Sequence, residues 1–228
     1  MKVKSPRELL IVNPNANVQV TAWLVTEARR LIHADWEIVA LNADSGLAAI
    51  ETPADVRLAS DAVEAAVRTR PGASRVLIAA FADPGLQVVR ARRSIEVVGL
   101  GEAGLQAASQ GGRRLSIVTM GEVMREPIAE KAALHGVASQ LASIRILPFS
   151  IAEFVANRDA LRPVVEAQAR ACLATDGADV VLLGGGPFAG MAHAIELETD
   201  LPLLDGVEAS IARLTGENSL WSSGNIRV

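Results

Sequence analysis

Short apolar runs alternate with longer amphipathic stretches along this chain, and no other feature restricts its fold as much. The runs are Leu9–Val12, Trp36–Leu41, Arg75–Ala80, Ile95–Leu100, Leu115–Thr119, Ser143–Leu147, Val180–Gly184 and Leu201–Leu204. Several are apolar at consecutive positions. Both faces of such a strand are covered, as in a buried parallel sheet. Between them Val18–Ile32, Ala54–Thr69, Val123–His135 and Asp159–Ala174 read as helices. Strand–helix alternation predicts an α/β fold with parallel sheets, flanking helices and right-handed crossovers. The 228 residues suit one large domain or two small lobes, and no Pro/Gly-rich linker divides them. The final "ENSLWSSGNIRV" loses the periodicity and reads as a surface tail.

The alternation contains a weak repeat. "RVLIAAFADPGLQVV" leads into "EVVGLGEAGLQAA", and "DVVLLGGGPFAGMA" leads into "PLLDGVEASIARL". Each time a strand opens into a small-residue loop and a short helix, and a second strand then enters a helix carrying Glu-Ala. Glu102-Ala103 and Glu208-Ala209 recur about 106 residues apart. The pattern predicts one unit of two similar lobes, approximately 1–110 plus the C-terminal tail, and 111–215. Ligands of open α/β sheets sit beyond the carboxyl ends of the strands, so the two loops are expected to face each other across an interlobe cleft.

The net charge of −4 and the scattered Lys and Arg give no reason to expect a nucleic-acid partner. Three Trp, four Phe and no Tyr leave few stacking platforms. No apolar run approaches the ~18 residues that span a bilayer. The opening "MKVKSPRELLIVNP" reads as a first strand and turn and not as a signal peptide. A single cysteine, Cys172, allows no intrachain disulfide, which points to the cytoplasm. With only His33, His135 and His193 beside it, no metal site is expected.

"LLGGGPFAG", Leu182 to Gly190, is a strand end followed by three glycines and a proline. Its backbone N–H groups at a helix start suit an anion. It lacks the Gly-Lys-Ser/Thr of a nucleotide loop and the spacing of a dinucleotide fingerprint. Taken in order, "LLIVNPNANVQVT", "IAAFADPGL", "VVGLGEAGLQAA", "RRLSIVTM", "VVLLGGGPFAGMA" and "LPLLDGVEA" resemble the aspartate/glutamate/hydantoin racemase superfamily, and within it the hydantoin and allantoin racemases. The resemblance spans nearly the whole chain. It implies a cofactor-independent racemase or isomerase, a small-molecule partner (a carboxylate, an amino-acid derivative or a cyclic ureide such as a hydantoin) and a homo-oligomer, dimer or higher. In that family two cysteines face opposite sides of a carbon next to a carbonyl. One thiolate removes the proton while the other thiol returns one. A thiol pKa near ~8.5 can be lowered enough for this work.

This chain departs from the family at both positions. Ala80 stands for the first cysteine in "IAAFADPGL", and Gly185 for the second in "LLGGGPFAG". Neither side chain can move a proton. Cys172, mid-helix in "EAQARACLATDG", reads as a buried structural thiol. The protein could therefore bind a carboxylate without chemistry, or use another acid or base, including for a lyase or decarboxylase reaction. It could also be a sequence whose cysteines were substituted, although Gly185-Gly186-Pro187 departs from the family loop at more than the cysteine.

For ligand binding the resemblance favours Asn13, Asn15, Phe81, Thr119, Gly185, Gly186 and Pro187. Asn13 and Asn15 alternatively form an Asx turn with Asn17 and Thr21, and Thr119 a helix cap. Phe81 and Phe188 flank the missing cysteines and either wall a pocket or pack in the core. Asp83 and Glu102 are the candidate replacement acids. Asp83 also suits the cap of the helix that follows it. Glu122 suits a helix dipole better than acid–base work, and His193 is more naturally solvated or capping.

Overall fold

In a computed structural model, which describes residues 7–216, the alternation resolves into two four-stranded parallel sheets. The first half of the chain runs β1 (Arg7–Asn13), α1 (Val18–Leu31), β2 (Trp36–Asn42), α2 (Pro53–Arg68), β3 (Arg75–Ile78), α3 (Leu86–Arg92), β4 (Glu96–Gly99) and α4 (Leu100–Ala108). The second half runs β5 (Leu115–Met120), α5 (Arg125–Leu134), β6 (Leu141–Leu147), α6 (Ile151–Ala156), α7 (Arg158–Ala174), β7 (Val180–Leu183), α8 (Met191–Thr199), β8 (Leu203–Asp205) and α9 (Gly206–Thr215). The strand orders are β2-β1-β3-β4 and β6-β5-β7-β8, the same arrangement twice. Ile11 of β1 lies between Ala40 and Leu77, and Ile117 of β5 lies between Ile144 and Leu182. The proposed tail from Glu217 onward, like residues 1–6, lies outside the described residues.

Alternating strand residues divide the core into three layers. Leu9 and Ile11 of β1, Leu115 and Ile117 of β5, and Leu182 of β7 enter a core shared by both lobes, with Leu24, Leu100, Leu105 and Ile211. Leu10 and Val12 face the other way, onto Val63, Val67 and Val89 in the first lobe. Val118, Val181 and Leu183 do the same against Phe154, Val165 and Ile195 in the second. Apolar strands with two covered faces therefore appear as expected. The helix α9 packs on α4 and α1, which binds the lobes together.

Several boundaries shift for local reasons. The run Arg75–Ala80 ends as a strand at Ile78; Ala79 still donates to Val12 O at 2.9 Å, and a turn closed by Asp83 N to Ala80 O then begins. Leu100 opens α4, and β8 is Leu203–Asp205 because Asp205 caps α9. The expected Val123–His135 helix starts as a 3-10 turn at Glu122–Met124, with α5 proper at Arg125. Pro127 then falls in the first turn of α5, where its missing N–H leaves no intrahelical bond unmade.

The loops after β3 and β7 both end on a left-handed glycine. Gly85, before α3, has φ 74° and ψ 0°; Gly190, before α8, has φ 74° and ψ −1°. Both occupy the left-handed region that favours glycine. Counting back five residues from each brings Ala80 and Gly185 into register. Glu102 and Glu208 are likewise each the third residue of their helix.

Candidate active site

The loops that follow β3 and β7 meet where the lobes meet. A Cβ built on Gly186 would lie 3.2 Å from Ala79 O, and one on Gly184 would lie 3.3 Å from the Phe81 ring. Above this contact opens a cleft of about 640 Å³, counting its mouth. The first lobe lines it with Asn15, Val20, Ile50 and Ala79–Ala82; the second adds Thr119, Met120, Met124, Ile128, Ile151 and Gly184–Pro187. Asn15, Phe81, Thr119, Gly185, Gly186 and Pro187 thus come together, and so do Ala80 and Gly185. Among the described residues lining this cleft none is Asp, Glu, His, Lys, Arg or Cys.

Its polar groups are few. The Asn15 Oδ1 accepts from Asn17 N at 2.9 Å, and the Asn15 amide nitrogen is left for another partner. The Thr119 hydroxyl donates to Gly184 O at 2.7 Å, fixing the glycine loop and keeping only acceptor capacity for a ligand. It caps no helix. Among the described residues, no acceptor is found for the backbone N–H groups of Ala80, Phe81, Gly185 and Gly186. Such donors suit a developing oxyanion.

The glycine loop is clamped from outside. Arg158, at the start of α7, donates to Pro187 O at 3.0 Å and to Ala189 O at 2.6 Å, and its guanidinium lies 4.5 Å from the Trp23 ring centre on α1. Burial lowers its pKa. Gly190 N donates to Asp205 Oδ2 at 2.7 Å. Gly185 itself has φ 142° and ψ 157°, a conformation that only glycine adopts without strain. A cysteine at this position requires the backbone to turn.

Other sequence candidates lie elsewhere. Asn13 is fully buried and outside the cleft lining. Its amide donates to Asn17 O and Thr21 Oγ1, and its Oδ1 accepts from Asn15 N, so it builds the turn that carries Asn15. Phe188 packs on Phe154, ring centres 4.9 Å apart, inside the second lobe. Asp83 does not cap α3, whose N-cap is Gly85; it caps α4 instead, accepting from Gly101 N and Glu102 N at 2.8 Å each. Its third partner is Lys131 Nζ, at 2.6 Å. Burial raises the Asp83 pKa against these partners.

Glu102 pairs with Arg90 at 2.6 Å and Arg213 at 3.5 Å. Burial works against its charge, but Arg90 and Arg213 hold the carboxyl below its ordinary range. Glu122 is exposed and paired with Arg125, which lowers its pKa. His193 is outside the lining. Cys172 is buried in the second lobe, and burial raises its thiol pKa.

Sequence reasoning missed the apolar wall. Met124 and Ile128 sit four apart at the start of α5, with Lys131 one turn on. This spacing gives a stripe on one helix face and was the available signal. Arg158 and Asp205 gave none, because their contacts are with residues about thirty and fifteen positions away.

Paired lobes, facing loops beyond strand ends and an oxyanion-suited cleft define a two-lobed α/β protein built around a small-molecule site. The chain belongs to the Asp/Glu/Hydantoin racemase family, whose model matches residues 9–214. It is 30% identical over 206 residues to a hydantoin racemase of Paenarthrobacter aurescens, covering 89% of this chain and 87% of that one. Its fold superposes on allantoin racemase from Klebsiella pneumoniae with a TM-score of 0.88 at 24% identity, covering 92% of this chain and 86% of the other. Allantoin racemase from Pseudomonas fluorescens gives 0.85 at 26%, with 92% and 89% covered. No described helix is long and apolar enough to cross a membrane.

Proposed function

We propose that this protein acts on a small cyclic ureide, amino-acid derivative or related carboxylate in the interlobe cleft, without the two-cysteine mechanism. The observation that carries this reading is the pairing of Ala80 and Gly185 in an interlobe cleft whose described lining bears no titratable side chain. The ligand carbonyl or carboxylate is met by the Asn15 amide and the N–H groups of the two loops. Apolar walls exclude water and strengthen those bonds. Polarising the carbonyl stabilises the enolate form, but two facing acid–base groups are absent. The names of the similar racemases support the ureide class.

The same reading takes the chain as one unit of two lobes, 1–110 with the C-terminal tail and 111–215. It is supported by the repeated strand order. The family resemblance supports a homo-oligomer, and the single cysteine supports a cytoplasmic location.

Calorimetric titration with hydantoin, allantoin and small carboxylates tests the site, wild type against Gly185→Val. The valine adds bulk to the cleft and strains φ. Binding is expected to weaken at least about tenfold, with the circular dichroism unchanged. Equal affinity in both proteins would reduce the glycine loop to a structural turn.

A further inference from the structure

We infer that the cleft continues past Phe81 into a second, anion-accepting chamber with Lys131 at its end, so that the preferred ligand carries a short apolar arm ending in a carboxylate. The inference rests on the proposed function and specifies its substrate class.

The second chamber is lined by Pro53, Val56, Pro127 and Lys131, together with Phe81, Ala82, Met124 and Ile128, which also line the first cleft. Those four shared residues put the two spaces side by side. Every residue of this chamber is apolar except Lys131. Met124, Ile128 and Lys131 follow one another at helical spacing, so the apolar wall leads to the ammonium. The Lys131 side chain is 15% exposed and Asp83 only 3%.

The carboxylate of the pair lies outside the chamber lining: Oδ1 accepts from Gly101 N, and Oδ2 accepts from both Glu102 N and Lys131 Nζ. The helix N-terminus offsets part of its charge. Lys131 has three donors and one hydrogen bond, to Asp83, which leaves two N–H groups without a protein acceptor among the described residues; its side chain lines both the apolar chamber and the polar recess behind it. An ammonium so placed is best satisfied by an anion that brings its own negative charge and loses little water. Glu130 and His135 line a further recess beyond Lys131, which they share with Asp83. The acidic Glu130 there favours approach to Lys131 from the cleft side.

The test uses hydantoins carrying acetic, propionic or butyric acid arms at the ring carbon, with the primary amide and the plain alkyl compound of each length. Titrated into the intact protein, at least one acid is expected to bind about tenfold or more tightly than its amide and alkyl partners. The advantage should vanish in Lys131→Met and persist in Lys131→Arg, while alkyl affinity stays within about twofold in both. Should Lys131→Met fail to fold, the wild-type series alone decides. Acids, amides and alkyl compounds binding equally would overturn the subsite and leave the cleft reading intact. Binding by none of the series would overturn both.

Discussion

The two lobes solve one problem from opposite sides. Each must tie the loop after its third strand to the helix after its fourth, and each does so with a buried carboxylate. In the first lobe the carboxylate belongs to the loop: Asp83, two residues before Gly85, reaches across to Gly101 N and Glu102 N. In the second lobe Phe188 occupies that loop position. The carboxylate comes instead from the helix N-cap, Asp205, which accepts from Val207 N and Glu208 N and reaches back to Gly190 N. The N-cap of the first lobe is accordingly Gly99, where a Cβ would lie 2.4 Å from Asp83 Cγ. One space holds one carboxylate, and either side of the joint can supply it.

The surroundings of these carboxylates differ more than the carboxylates do. Asp83 has a lysine from the opposite lobe, Lys131, at 2.6 Å. Asp205 has acidic neighbours: burial first and Glu27 next push it up to about 6, against its three N–H bonds. Glu208 is pushed up to about 8 by burial and then by Asp205. The first lobe pairs its carboxylate with a lysine, whereas the second groups acids whose pKa values are raised, Asp205 to about 6 and Glu208 to about 8.

The largest effect should come from forcing both solutions into one lobe. Gly99→Asp places a second carboxylate against Asp83 and should destabilise the fold by about 3 kcal/mol or more. Adding Asp83→Ala converts the first lobe to the arrangement of the second. The double variant should recover at least about half of that loss, as measured by urea unfolding. Additive losses would show that the two carboxylates do not share a place.

Next in size is the contrast between single deletions. Asp83→Ala leaves Lys131 and two amides without their partner and should cost about 3 kcal/mol. Asp205→Ala removes a cap but also relieves Glu208 and Glu27, so about 1 kcal/mol is expected. A reversed order in calorimetric stability would remove the charge contrast between the lobes.

A smaller, pH-dependent effect belongs to the second lobe alone. The folded pKa values of Asp205 and Glu208 lie above their unfolded values of 3.8 and 4.5. The native state therefore holds more protons, and stability present at acid pH falls as pH rises through about 6 and about 8. Glu208→Gln should remove the upper part of this slope, raising the melting temperature at pH 8.5 by about 2–4 °C with little change at pH 5. Parallel curves for the two proteins would show that Glu208 does not titrate in this range.

The smallest contrast lies between Ala80 and Gly185, the two loop positions that face each other across the cleft. Gly185→Ala forces a side chain into φ 142° and should cost about 1 kcal/mol or somewhat more. Ala80→Ser, in ordinary backbone, should cost less than about half that. Equal costs in thermal unfolding would mean that the glycine loop relaxes freely.

The parts of this molecule written in local pattern could be read from the chain. Two-faced apolar strands such as Leu9–Val12 gave the parallel sheets, and the recurrence around Ala80 and Gly185 gave the facing loops. The fates of single polar residues were not legible. Asp83 in Asp-Pro-Gly has the form of a cap for the next helix, yet it caps the helix after that, because β4 brings Gly101 beside it. Asn13 and Asn15 look alike in sequence. The strand end buries one and the turn leaves the other at the cleft. Lys131 sits 48 residues from its partner, and nothing local in the sequence pairs them.

The central claim is that a racemase-family cleft persists here without its proton-transferring pair. Exchange of the ring-carbon proton of a bound hydantoin in D2O, followed by NMR with and without purified protein, tests it most directly. The account predicts binding without rapid exchange, and no effect of a thiol-alkylating reagent on the residual rate. Rapid exchange abolished by that reagent would contradict it.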